Sequence, residues 1–128
     1  MIIEIGSDII DIRRIDNTIE KYGFKFKKKC FTKTEIEKSE SRKNTSASYA
    51  KRYAAKEACA KALGTGLAKG VFWKDIEIHN DSFGKPSLIL YNNALNIFNK
   101  LSSKKLNIRV SLSDEKEYAI ANVIIFET

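Results

Sequence analysis

Asp8, Glu57 and Lys61 are the residues of this 128-residue chain whose types and spacing can do chemistry. Glu57 and Lys61 sit in Arg52-Tyr53-Ala54-Ala55-Lys56-Glu57-Ala58-Cys59-Ala60-Lys61-Ala62-Leu63-Gly64-Thr65-Gly66. That run reads as an alanine-rich helix ended by a C-cap glycine. Residues four apart stand side by side on a helix. A Glu among alanines that invite close packing must be solvated, paired or bound to a cation. Asp8 ends an apolar strand just past Gly6, and with Glu57 it offers two hard oxygen ligands. Mg²⁺ takes one or two protein carboxylates and fills its other positions with phosphate oxygens and water. Lys61 can neutralise a phosphate or a leaving-group oxygen. Arg52 and Lys56 add phosphate-binding capacity, and Gly64-Thr65-Gly66 can turn backbone N–H groups toward the same anion. The set suits phosphoryl-group transfer, where positioning and charge neutralisation supply most of the catalysis. The plain alternative for Glu57 and Lys61 is a surface pair worth about 0.3–0.5 kcal/mol. Asp8 weighs against it.

The elements that must hold these residues follow from pattern. Ile2 to about Asp8 reads as a buried strand. A helix starts near Asp11, with Ile12, Ile15 and Ile19 on one face and Arg13, Arg14 and Lys21 opposite. Thr32 followed by Glu35 is a capping box and opens a short helix to Glu40. Ser39 to Ser48 is polar and reads as a loop, with Ser46 or a neighbour capping the long helix to Leu63. Trp73–His79 and Ser87–Tyr91 alternate as strands around the turn formers of Asn80-Asp81-Ser82-Phe83-Gly84-Lys85-Pro86. A helix over Asn92–Ser103 and a hairpin of Ile108–Ser113 with Tyr118–Phe126 complete one α+β domain over residues 1–128.

Composition bounds the partners. The charge of +7 and the pI of about 9.4 favour an anionic partner: nucleic acid, a phosphorylated small molecule or an acidic protein. No apolar run approaches a membrane span, and Met1-Ile2-Ile3-Glu4-Ile5-Gly6 reads as a strand rather than a signal peptide. Cys30 and Cys59 lack metal or redox spacing, so the chain reads as cytoplasmic and disulfide-free. The single histidine, His79, lies on an alternating strand and reads as a solvent-facing, non-catalytic residue.

Ile5-Gly6-Ser7-Asp8-Ile9, the Arg52–Gly66 run, Gly84-Lys85-Pro86, Val110-Ser111-Leu112-Ser113 and Tyr118-Ala119-Ile120-Ala121 occur in an order that resembles the bacterial holo-acyl-carrier-protein synthase family of 4′-phosphopantetheinyl transferases. The resemblance spans nearly the whole chain. It implies that family's α+β fold, with a mixed or antiparallel sheet of meandering strands packed on one long and several shorter helices. It implies transfer of the phosphopantetheine arm of coenzyme A to a serine of apo acyl carrier protein, in fatty acid biosynthesis, releasing adenosine 3′,5′-bisphosphate. Carried over by residue, Asp8 and Glu57 would hold Mg²⁺ and Lys61 would contact phosphate near the reacting bond. Arg52 would bind nucleotide phosphates, and Gly84, Lys85 and Pro86 would shape the nucleotide pocket. The family's homotrimers, with sites at subunit interfaces, imply a homotrimer here. Asp114 stands where some members carry histidine, and a carboxylate there repels an anion.

The attacking serine must lose a proton, and with no suitable histidine the base is a Mg²⁺-bound water or Glu57 acting through a water. Arg13, Arg14 and Lys21 would dock an acidic carrier protein, as the resemblance also suggests. The rival from another class is a nucleic-acid module built on Lys25–Lys29. It explains the charge, but neither Asp8 nor Glu57. A non-catalytic assembly subunit would have lost Asp8, Glu57 or Lys61, and all three are present.

Overall fold

The structure is a computed structural model that describes residues 1–128. Its elements run β1 (Ile2–Asp11), α1 (Ile12–Tyr22), α2 (Phe24–Cys30), α3 (Lys33–Glu40), α4 (Thr45–Leu63), a 3₁₀ turn (Trp73–Asp75), β2 (Ile76–Asn80), β3 (Pro86–Leu90), α5 (Asn92–Asn99), β4 (Leu106–Glu115) and β5 (Tyr118–Glu127). The strands form two antiparallel sheets rather than one: β1-β5-β4 and the hairpin β2-β3. No helix is long and apolar enough to cross a membrane.

β1 runs three residues beyond the expected end at Asp8, because β5 continues to offer partners: Ile9 pairs with Ile120, Ile10 with Ala119 and Asp11 with Tyr118. Asp11 then caps α1 by accepting from the Arg13 amide at 2.9 Å. Thr32 and Glu35 form the expected capping box. The expected loop over 39–48 is shorter. Ser39 belongs to α3 and Ser48 to α4, and their buried hydroxyls share a 2.9 Å hydrogen bond. The cap of α4 is Asn44, whose side chain accepts from the Ala47 amide at 3.1 Å. β2 begins only at Ile76, since the Asp75 carboxylate accepts from the Phe72 amide and winds Trp73–Asp75 into a turn. The helix expected to Ser103 stops at Asn99.

α4 lies at the centre of the molecule, buried over most of its surface, with a strip through Tyr53, Glu57 and Lys61 reaching solvent. Ala54, Ala55, Ala58, Cys59 and Ala60 have no exposed surface. Its alanines allow β1 to come very close. A Cβ built on Gly6 would stand 2.0 Å from the Ala58 carbonyl oxygen and 2.9 Å from the Ala62 nitrogen. No side chain fits at residue 6, and this contact fixes where β1 crosses α4. Both cysteines are free and buried, and burial pushes the Cys59 thiol up to about 12.

Candidate active site

The crossing of β1 and α4 brings Asp8, Glu57 and Lys61 together. Side chains alternate along a strand, so Asp8 shares the helix-facing side of β1 with Gly6 and Ile10. The Lys61 Nζ donates to Asp8 Oδ1 at 3.0 Å and to the Ser7 carbonyl at 3.0 Å. Lys61 therefore reaches across to the strand, and its ion pair is with Asp8 rather than with Glu57 one turn away. Glu57 is half-buried. Burial first, and the Asp8 charge second, raise its pKa above the ordinary 4.5, while Lys61 and Arg14 pull the other way. Two carboxylates close enough for the Asp8 charge to raise the Glu57 pKa, with no third acid or histidine nearby, fit a small divalent cation that draws its remaining ligands from phosphate and water.

Arg52 belongs to a different place. The residue is 3% exposed. Its Nη1 donates to Ser48 Oγ at 2.7 Å and to the Ser48 carbonyl at 3.2 Å, and its Nη2 donates to Asn80 Oδ1 at 2.6 Å. Its Nε is buried without a partner, and no carboxylate pairs with the guanidinium. Burial lowers its pKa from the ordinary arginine value, and neighbouring Arg42 acts the same way. A pocket of about 350 Å³ opens here, with Arg42, Lys43, Lys51 and Arg52 as its cations and Gly84 and Pro86 on its hairpin wall. Such a pocket attracts an anion.

A helix turns about 100° per residue, so Arg52 and Lys61, nine residues apart, stand about two and a half turns apart, on opposite sides of α4. The axial separation is roughly 13 Å. The residues expected to form one site thus form two clusters in a single chain. One holds Asp8, Glu57 and Lys61, and the other holds Arg52, Gly84 and Pro86.

Two expectations need correction. Lys56 does not reach solvent. It is completely buried, and its ammonium donates to Glu35 Oε1 at 2.7 Å and to the carbonyls of Ile76 at 2.7 Å and Trp73 at 3.0 Å. All three protons are spent inside the fold, so none is left for a phosphate. The Gly64-Thr65-Gly66 amides are likewise consumed. Gly64 takes the left-handed conformation at φ 87°, and its N–H donates to the Lys61 carbonyl. The N–H groups of Thr65 and Gly66 donate to the Ala60 carbonyl, completing the helix cap. The turn stops the helix and presents no free donors to an anion.

In the hairpin, Gly84 adopts φ 87°, and its carbonyl accepts from the Asn80 side chain at 3.1 Å. The Lys85 amide donates to Asp81 at 2.9 Å. Sequence reasoning missed Ser48, Asn80 and Lys51. The adjacency of Lys51 to Arg52 was the available signal. For Asn80 there was none, since only β2 brings it 28 residues back to Arg52.

Arg13, Arg14 and Lys21 line one shallow groove on α1 with Tyr22. Arg13 is already paired with Asp11 at 2.6 Å and Glu117 at 3.4 Å. In the basic segment of α2, Lys27 turns to Glu40 at 2.8 Å. His79 is partly exposed and bound to Glu77, with 2.6 Å between Nε2 and Oε1.

Residues 4–123 match the model of the 4′-phosphopantetheinyl transferase superfamily. The chain is 53% identical over 127 residues to the holo-[acyl-carrier-protein] synthase of Agrobacterium fabrum, covering 98% of this chain and 95% of that one. It superimposes on the holo-[acyl-carrier-protein] synthase of Neisseria meningitidis with a TM-score of 0.86 at 34% identity, over 99% and 100% of the two chains. The enzyme from Bacillus anthracis, solved in complex with CoA (3′,5′-ADP), gives 0.80 at 35% identity over 100% and 99%.

Proposed function

Since the chain belongs to the 4′-phosphopantetheinyl transferase superfamily, we propose that it moves the phosphopantetheine arm of coenzyme A to a serine of apo acyl carrier protein. The observation that carries the reading is the cluster of Asp8, Glu57 and Lys61 fixed where β1 crosses α4. Rigid elements hold two acids and one cation there, as phosphoryl transfer needs.

The serine oxygen attacks the β-phosphorus, the bond to the bridging oxygen breaks, and adenosine 3′,5′-bisphosphate leaves. Asp8 and Glu57 are the residues that would hold Mg²⁺, whose charge would offset that of the pyrophosphate. Glu57, made more basic by burial and by Asp8, is suited to receive the serine proton through a water. Lys61 stabilises charge on the departing oxygen. With the pyrophosphate at this cluster, the remaining phosphate of coenzyme A goes to the separate pocket at Arg52. The α1 groove with Arg13, Arg14 and Lys21 receives the acidic carrier.

We also propose a homotrimer with sites shared between subunits. Two features support it. The outward face of the β1-β5-β4 sheet carries Ile5 (68% exposed) and Ile9 (61%) beside Ile124 and Ile120. Ser7 Oγ donates to Asn122 Oδ1 between those two rows. The second feature is the split across α4. In a closed ring each interface joins unlike surfaces, so one subunit's Arg52 pocket can serve the next subunit's Glu57.

Intact mass spectrometry of an apo acyl carrier protein after incubation with the protein, coenzyme A and Mg²⁺ tests the activity. A gain of one phosphopantetheine group, abolished by EDTA, is expected. No gain with several carriers overturns the proposal.

A further inference from the structure

The Arg52 pocket contains one negative charge. Asp114, on β4, faces the four cations, and its Oδ1 lies 3.1 Å from Lys51 Nζ. Both side chains are about one-third exposed, so the pair lies at the pocket mouth and not in the core. Exposed pairs like this contribute little to stability, about 0–1 kcal/mol. The pair also joins β4 to α4, two elements already packed on each other through the central sheet. Stability therefore gives little reason for a carboxylate in a cavity otherwise built for anions.

Resting on the function proposed above, we propose that Asp114 is a built-in counter-ion that competes with the ribose phosphate of coenzyme A for Lys51. Lys51 is paired with Asp114. An entering phosphate must draw Lys51 away and tolerate the carboxylate left behind. Arg52 offers no such competition, because its hydrogen bonds go to the neutral Ser48 and Asn80 and no carboxylate in the pocket pairs with it. The pocket thus pairs a fixed, buried cation that always favours the phosphate with an exposed cation whose loyalty is divided. The product, adenosine 3′,5′-bisphosphate, carries the same ribose phosphate as the substrate, so weakening this contact speeds the clearing of the site after transfer. Asp114 acts through Lys51 and is a positioning residue that sets affinity.

The test is calorimetric titration of coenzyme A and of dephospho-coenzyme A, which lacks the ribose phosphate, at low ionic strength. The proteins are the wild type, Asp114→Asn, Lys51→Gln and the double variant. Asparagine keeps the shape and removes the charge. Asp114→Asn is expected to tighten coenzyme A about three- to fivefold, the scale of one exposed charge contact. Dephospho-coenzyme A should be unchanged, and the gain should vanish in the Lys51→Gln background. Three results each overturn the role. The first is unchanged or weaker coenzyme A binding by Asp114→Asn. The second is an equal gain for both ligands. The third is a gain that survives without Lys51, which would mark a general field effect. In all three the wild type still binds coenzyme A, so the proposed function stands. A wild type that binds neither coenzyme A nor adenosine 3′,5′-bisphosphate overturns both.

Discussion

Arg52 and Lys61 project from opposite sides of the same helix, one toward Asn80 on β2 and the other toward Asp8 on β1. A substrate that needs both cannot easily be served by one copy of the chain. Arg52→Ala and Glu57→Ala, each nearly inactive alone, should therefore complement when co-expressed. Random mixing in closed trimers leaves about a quarter of wild-type turnover, because three-quarters of the rings are mixed and each has one intact site of three. Assay of the co-purified mixture checks this, and no recovery places each site within one subunit.

Asp8→Asn and Glu57→Gln should each lower kcat about 10²–10³-fold, the scale of losing one preorganised charge at a phosphoryl centre. Lys61→Ala should lose turnover on the same scale while still binding metal. Titration of the apo protein with Mn²⁺, followed by electron paramagnetic resonance, separates the two classes. Normal metal binding by both acid variants would remove Asp8 and Glu57 as ligands.

Lys56→Met should cost about 3–5 kcal/mol, because it strands the Glu35 carboxylate in the interior. Adding Glu35→Gln should restore part of that loss, since the uncompensated charge is then gone. The KM for coenzyme A of any folded Lys56 variant should match the wild type. Chemical denaturation and steady-state kinetics read the two sides. A rise in KM without loss of stability would return Lys56 to the phosphate.

Gly6→Ala should destabilise the protein by about 3 kcal/mol, at the upper end of overpacking costs. The methyl would meet the Ala58 carbonyl, which belongs to a buried helix backbone and cannot move aside. For a chain of this size that lowers Tm by roughly 10 °C. An unchanged melting curve would mean that β1 and α4 can separate freely.

Acid should unfold the protein in a defined window. The hydrogen bond from Arg13 holds Asp11 below its ordinary 3.8, and Lys27, then Tyr49, hold Glu40 below 4.5. For these groups the unfolded chain binds protons more readily, so their stabilisation is complete above their unfolded values and fades as the pH falls through the folded ones. Glu57 has the opposite sign. Its raised pKa lets the folded state bind a proton first, so stability rises slightly as the pH descends toward 4.5. Tm measured against pH should rise gently and then drop below about 4.5. Glu57→Gln should remove the rise and keep the drop.

Local signals made much of this legible. Alanines and Gly64 marked α4, Thr32 and Glu35 marked a helix start, and Gly6 with Asp8 marked the strand end that meets α4. The errors have one source, which is pairing between distant segments. Lys56 reads as a surface lysine because the sequence around it says nothing of Glu35, 21 residues earlier, or of the carbonyls after Phe72 that arrive beneath it. α4 is buried over most of its surface, so its short solvent strip at Tyr53, Glu57 and Lys61 leaves no polar stripe in the sequence broad enough to set Lys61 apart from Lys56. The length of β1 past Asp8 was set by β5, more than 100 residues later. The separation of Arg52 from Glu57 was readable from helix phase alone, whereas the pocket around Arg52 required β2 and β3 to close over it.

Glu35 accepts hydrogen bonds from three separate elements: the Thr32 amide before α3, Lys56 on α4 and the Ile78 amide on β2. None of these bonds can open without exposing a charge in the interior. The Ile78 amide hydrogen should therefore exchange with solvent only when the whole molecule unfolds, although it sits in a two-stranded hairpin that would otherwise fray readily. The far end of that hairpin, Asp81 to Lys85, is exposed, but the Asp81 carboxylate accepts from the Phe83 amide at 2.8 Å and the Lys85 amide at 2.9 Å and holds the turn from within. The hairpin is thus locked at its root by Glu35 and at its tip by Asp81, and Asn80, bonded to both Arg52 and the Gly84 carbonyl, ties the hairpin wall of the Arg52 pocket to α4.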